Sequence, residues 1–159
     1  MKRHTTNSLD KDRLQDAVAK TFEEKIPFNR LLGFEIELAG DGTAKLCFPM
    51  RDELVGNFLR GNLHGGVISS SLDVVGGLVA SLALLQHNSF EDLAQYSESF
   101  SRLGTIDLRV DYLRPALGSS FAAIGSILRV GRKIAVTRMA LHNDSGVLVA
   151  VGTGSYSIS

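Results

Sequence analysis

The chain is 159 residues long, 44% hydrophobic and 21% charged. That size buries a sizeable core within one domain, spanning 1–159 with residues 1–26 as an N-terminal helical extension. Seventeen basic residues balance seventeen acidic ones, and a formal net charge of zero argues against general nucleic-acid binding.

Met1 to Thr6 is polar and no apolar h-region follows, so the expected compartment is the cytoplasm. Leu9, Leu14, Ala17, Val18, Phe22 and Ile26 then recur near a 3.6-residue period, which predicts an amphipathic helix from Ser8 to Ile26. Pro27 ends it, because the residue before a proline is pushed out of the helical region. One more turn is predicted over Phe28 to Leu32, closed by Gly33. Two strands follow. Phe34, Ile36 and Leu38 alternate with Glu35 and Glu37, Gly40-Asp41-Gly42 turns the chain, and Ala44, Leu46 and Phe48 alternate with Lys45 and Cys47. Cys47 is the only cysteine, which excludes an intrachain disulfide, and its strand setting reads as a buried structural thiol and not a nucleophile. Arg51 to Leu63 reads as a loop with turn signals at Gly56-Asn57 and Gly61-Asn62.

Leu63-His64-Gly65-Gly66 then opens into a long apolar run to Leu85, in which Asp73 is the one charged residue. The run is long enough to span a membrane. Asp73, the serines and the glycines interrupt it and no basic cluster flanks it, so a core helix of a non-membrane protein is predicted. The stretch from Gln86 to Ser101 is polar and acidic and reads as a surface connection with a short helix near Phe90 to Tyr96. Four strands complete the chain: Ile106 to Tyr112, Ser120 to Val130, Lys133 to His142 and Val147 to Ile158. Short turns between the last three imply antiparallel pairing. One long apolar helix covering one curved sheet is an α+β architecture.

The His-Gly-Gly turn and Asp73 carry the chemistry. A helix start presents free N–H groups and about half a positive charge, and Gly65 and Gly66 let another molecule approach that backbone. Such a site suits a developing oxyanion in acyl transfer, although a Gly-Gly pair also serves as a plain tight turn. His64 can orient the loop or donate a hydrogen bond. An unpartnered carboxylate in an apolar helix is costly unless it is paired or used. Asp73 lies seven residues beyond Gly66, about 10.5 Å along a helix axis. That is too far for it to act on a carbonyl held at its own helix start. If the reaction is hydrolysis, the two groups must come from two copies of the chain. Ser69, Ser70 and Ser71 lack the G-x-S-x-G elbow of a serine nucleophile. The four histidines are scattered, and no metal is expected. From Arg102 onward seven basic residues face three aspartates, which suits a small anionic ligand.

Leu63-His64-Gly65-Gly66-Val67-Ile68, with an acid nine residues after the histidine, resembles the PaaI-like branch of the hotdog-fold acyl-CoA thioesterases. Gly104-Thr105-Ile106-Asp107-Leu108-Arg109-Val110-Asp111-Tyr112-Leu113-Arg114-Pro115 resembles the strand that follows the helix in that family, and the likeness is nearest to the YigI-type thioesterases. The resemblance implies a hotdog fold, paired edge to edge into a homodimer and commonly again into a dimer of dimers. It implies Asp73 as general base or nucleophile, and the Gly66 N–H of the opposite subunit as oxyanion hole, with Gly65 and His64 beside it. Thr105, ten residues before Pro115, matches a hydroxyl that helps place the water. Arg114, Arg129, Arg132 and Lys133 are the implied contacts to the phosphates of coenzyme A, which enters as part of the substrate and not as a cofactor. Many relatives carry an asparagine six residues before the histidine. Phe58 stands there, so Asn57 serves only if the loop bulges by one residue.

The substrate so implied is a medium- or long-chain or aryl acyl-CoA, with no nucleic acid and no membrane as partner. The apolar residues Leu72, Val75, Leu78, Val79 and Leu82 suggest a lining for an acyl chain. Two other readings share the fold. A hydratase or dehydratase needs His64 and an acid to converge as a proton-transfer pair, and a non-catalytic acyl-CoA binding protein binds without releasing thiol.

Overall fold

The computed structural model describes residues 8–87 and 93–158. Helix α1 (Ser8–Lys20) runs into a wider π-helical turn over Thr21–Lys25 and then into α2 (Pro27–Leu32). Ile26 is extended, at φ −84° and ψ 112°, as a residue before proline must be. Gly33, at φ 70°, closes α2 in the left-handed conformation that glycine adopts without strain. Val18 and Phe22 are buried, and α1 packs on the central helix.

Strands β1 (Glu35–Ala39) and β2 (Thr43–Pro49) form the expected hairpin. The following segment is more than the loop expected. It holds a short 3₁₀ turn, Asp52–Leu54, and a small hairpin of β3 (Val55–Asn57) and β4 (Asn62–Leu63). Strands of three and two residues are too short to show a period of two. Gly56 is needed in that hairpin, since a Cβ there would lie 2.7 Å from the Cα of His64.

Helix α3 (Gly65–His87) is the centre of the molecule. Leu72, Val75, Leu78, Val79 and Leu82 are each at most 3% exposed. Burial of each such side chain contributes roughly 1.5–3 kcal/mol. The most apolar window of α3 is 78% buried by the surrounding protein. The connection after it also differs from expectation. Helix α4 spans Leu93–Phe100, and Phe90 lies outside the described residues. Tyr96 is a core residue, its hydroxyl bonded to that of Ser81, and Phe100 packs on Phe22 and Tyr96. Two aromatics four residues apart leave little periodic signal in the sequence.

Strands β5 (Gly104–Tyr112), β6 (Ser120–Val130), β7 (Ile134–Asn143) and β8 (Leu148–Ser157) join β1 and β2 in one antiparallel sheet, ordered β1-β2-β6-β7-β8-β5. The sheet packs along one face of α3 through β2, β5, β6, β7 and β8. Strand β5 lies at one edge. A bulge between Thr105 and Asp107 turns Ile106 outward, where it is 57% exposed instead of continuing the inward alternation.

Candidate active site

The strand register divides the candidate residues between two ends of the sheet. Thr105 pairs with Tyr156, Tyr156 with Ala135, and Ala135 with Val130. The start of β5, the end of β8 and the β6–β7 turn therefore lie in one row. Asp73 reaches this row from α3. Thr105 Oγ1 donates to Asp73 Oδ1 at 2.9 Å, and Tyr156 Oη lies 3.2 Å from the same oxygen and 3.0 Å from the Asp73 carbonyl. Asp73 is half-buried and Tyr156 fully buried. Burial, and then the charge of Asp73, push the Tyr156 hydroxyl well above the usual tyrosine range. It therefore stays protonated and donates. The cost foreseen for a carboxylate in this helix is met by two hydroxyl donors.

The helix start lies at the other end. Tyr112 pairs with Ala150, Ala150 with Leu141, and Leu141 with Ala123. The Tyr112 hydroxyl donates to the Gly65 carbonyl at 3.1 Å, which ties the end of β5 to the first turn of α3. The Gly66 N–H donates to His64 Nδ1 at 2.8 Å. That bond uses the Nδ1 lone pair and leaves the ring proton on Nε2. His64 thus caps its own helix, and its imidazole occupies the N–H expected to meet an oxyanion. The Val67 and Ile68 N–H groups both bond to the His64 carbonyl. Ser69 and Ser70 bond back to the Gly66 carbonyl, as hydroxyls in helices commonly do.

Asn57 sits near the helix-start end, on the β3–β4 hairpin. Its Oδ1 accepts the Leu59 N–H and its carbonyl accepts those of Arg60 and Gly61, so it organises the turn. The four cations separate. Arg129, Arg132 and Lys133 line one hollow of about 380 Å³ at the β6–β7 turn, on the acid row. Arg114 lies at the helix-start end, its guanidinium donating to the Leu148 carbonyl at 2.9 Å.

The helix residues suggested as an acyl lining are instead part of the closed core under the sheet. The apolar cavity next to His64 and Gly66 holds about 520 Å³ and is walled by Phe28, Leu31, Leu32, Leu54, Val55 and Val67. Two of these, Phe28 and Leu31, are half or more exposed. They belong to α2, the further turn expected over Phe28 to Leu32, to which the sequence assigned no part in the site. Cys47 lies half-buried on the face of β2 opposite the core residues, and burial raises its thiol above the usual range. Both facts suit a structural thiol. Among the described residues no three His, Cys, Asp or Glu side chains gather closely enough to hold a metal ion.

Tyr156 and Gly76 were not foreseen. The signal for Tyr156 was weak: a tyrosine in a strand of small residues, Gly152-Thr153-Gly154-Ser155-Tyr156. The signal for Gly76 was a glycine in a helix interior, where it costs about 1 kcal/mol relative to alanine and calls for a packing reason.

Residues 60–150 match the family model described as the thioesterase superfamily. The medium/long-chain acyl-CoA thioesterase YigI of Salmonella typhimurium is 43% identical over 141 residues, which cover 89% of this chain and 91% of that protein. A crystal structure from Shewanella oneidensis, of a protein related to the thioesterase superfamily, is 38% identical with a TM-score of 0.90, covering 97% of this chain and all of that one. The PaaI protein of the Escherichia coli phenylacetic acid degradation operon shares the fold at 18% identity, with a TM-score of 0.73 over 92% of this chain and 94% of that one. The long helix packed on an antiparallel sheet is thus the hotdog fold. The chain belongs to the thioesterase superfamily and is a hydrolase of thioester bonds.

Proposed function

We propose that the chain hydrolyses medium- or long-chain or aryl acyl-CoA to the free acid and coenzyme A, at two equivalent sites of a dimer paired through β5, in the cytoplasm. The observation that carries this reading is the placement of the two half-sites at opposite ends of β5. Thr105 and Asp73 mark the start of the strand, and Tyr112 and Gly65 mark its end. Among the described residues the outer edge of β5 has no partner strand, and the strand is largely exposed. An unpaired edge of nine residues is a template for another strand. Antiparallel pairing of two copies about a two-fold axis brings one chain's Asp73 beside the other's helix start. This meets the distance requirement that Asp73 and Gly66 impose on a single chain.

In the resulting mechanism Asp73 acts on the thioester, as general base toward water or as nucleophile. The Gly66 N–H of the partner subunit stabilises the oxyanion. Because His64 Nδ1 holds that N–H in the free chain, the imidazole must turn aside as the carbonyl arrives. The cavity under α2 receives the acyl group. Arg129, Arg132 and Lys133 from one chain and Arg114 from the other then flank one composite site, where they meet the phosphates of coenzyme A. Pairing of two dimers is the assembly the family resemblance implies.

The test is thiol release from acyl-CoAs of rising chain length and one aryl-CoA, by the wild type and by Asp73→Asn. Turnover that Asp73→Asn abolishes, with the oligomer intact, supports the reading. Wild-type turnover in Asp73→Asn overturns the assigned role of Asp73, and tight binding without thiol release overturns hydrolysis.

A further inference from the structure

Both hydroxyl donors to the Asp73 carboxylate converge on Oδ1, and among the described residues none reaches Oδ2. Thr105 is exposed at an edge strand, whereas Tyr156 comes from inside the sheet and is 1% exposed. Its ring lies in a slot made by two glycines. A Cβ on Gly76 would overlap Tyr156 Oη and lie 2.9 Å from Cζ; a Cβ on Gly154 would lie 2.8 Å from ring carbon Cε2. Either contact is closer than side chains tolerate, and the ring is walled by backbone. Gly76 sits three residues after Asp73, on the neighbouring turn of the same helix face. The residue that opens the slot therefore lies beside the residue that Tyr156 serves.

We propose that Tyr156 is a positioning residue for hydrolysis, its hydroxyl delivered through the Gly76–Gly154 slot to fix Asp73 Oδ1 and thereby leave Oδ2 as the oxygen that meets water or the thioester. The proposal rests on the reading of Asp73 as the acting carboxylate. The tyrosine itself is buried away from solvent. Its single hydroxyl proton is shared between Asp73 Oδ1 and the Asp73 carbonyl, so the same hydroxyl sits against both the helix backbone and the carboxylate. Rotation about the Asp73 side chain would exchange the two oxygens or swing both out of line. A buried hydroxyl on a rigid ring opposes that rotation better than the exposed Thr105 alone.

The test is Tyr156→Phe, which keeps the ring in its slot and removes only the hydroxyl. With dodecanoyl-CoA the expected result is a fall in kcat of about tenfold or more, a KM within about twofold of the wild type, and a cooperative thermal transition. In an Asp73→Asn background the same substitution should change the residual rate by less than about twofold, because there is no carboxylate left to position. A kcat within twofold of the wild type overturns the proposal, as does the same penalty in both backgrounds. Wild-type turnover in Asp73→Asn alone overturns the underlying reading, a result distinct from either. If Tyr156→Phe does not fold, 3-fluorotyrosine placed at position 156 keeps both ring and hydroxyl. Its ¹⁹F resonance should move on Asp73→Asn substitution if the two groups are bonded, and an unchanged resonance overturns the proposal.

Discussion

The two ends of β5 solve opposite problems. At the acid end a half-buried carboxylate is bonded on one oxygen by Thr105 and Tyr156 inside a tightly packed slot. At the helix-start end His64 and Gly66 are exposed, and the polar groups satisfy each other locally, with Gly66 N–H on His64 Nδ1. The acid end is fixed and lacks an oxyanion donor. The other end has the donor, held by a side chain that can move away. On the proposed reading a single chain carries two half-sites too far apart to serve each other, and the division separates a fixed acid from a helix start that yields to a substrate.

The largest effect should come from the acid. Asp73→Asn preserves the acceptor oxygen for Thr105 and Tyr156 and removes the charge. Its kcat should fall by about 10²–10⁴-fold, with little change in the unfolding midpoint. Next comes the partition itself. Gly66→Pro deletes the N–H in the first turn of α3, where proline is tolerated, and a Cβ there meets the His64 ring. Alone it should cost about 10²–10³-fold in kcat. Refolded together in equal amounts, the Gly66→Pro and Asp73→Asn chains should recover about a quarter of wild-type activity, since each mixed dimer holds one intact site. No recovery would mean that both groups act within one chain, against the distance between them.

Gly76→Ala tests the fixed end from the helix side. The new methyl evicts the Tyr156 ring, so kcat should drop by about tenfold or more while KM holds. In a Tyr156→Phe background the added loss should be small, since that hydroxyl contact is already gone. Thr105→Val removes the exposed donor and should cost about three- to tenfold in kcat, less than Tyr156→Phe, because solvent can replace it.

The sequence carried the fold where periodicity was strong. The central helix was read from its apolar run, and the strands from alternation in segments such as Ala44-Lys45-Leu46-Cys47-Phe48. It failed on short or sparsely marked elements. The β3–β4 hairpin has too few residues for a period, and α4 shows Tyr96 and Phe100 as its docking aromatics. In the site, Asp73 was legible because a lone charge in an apolar helix needs a partner. Tyr156 was not, because it lies 83 residues away and only the register of β8 against β5 brings it under α3. The acyl lining was misjudged for a related reason. Periodicity reports that Leu72 and Val75 face something apolar, and it does not say whether that is a ligand or the protein's own sheet.

The smallest effect separates the ends by charge. Arg132 and Lys133 stand exposed at the β6–β7 turn and line an open hollow, whereas Arg114 is tethered by one guanidinium N–H to the Leu148 carbonyl. A phosphate of coenzyme A should therefore draw mainly on the turn at the acid end. Replacing Arg132 and Lys133 together by alanine should raise KM for acyl-CoA by about three- to tenfold at low salt with kcat nearly unchanged. The difference from wild type should shrink as ionic strength rises and the Debye length falls below about 8 Å. Arg114→Ala should change KM less, and should lower the unfolding midpoint through the lost tie to β8. A larger KM change in Arg114→Ala than in the double variant would place the phosphate contacts at the helix-start end, and the asymmetry between the two ends would then extend to binding as well as to chemistry.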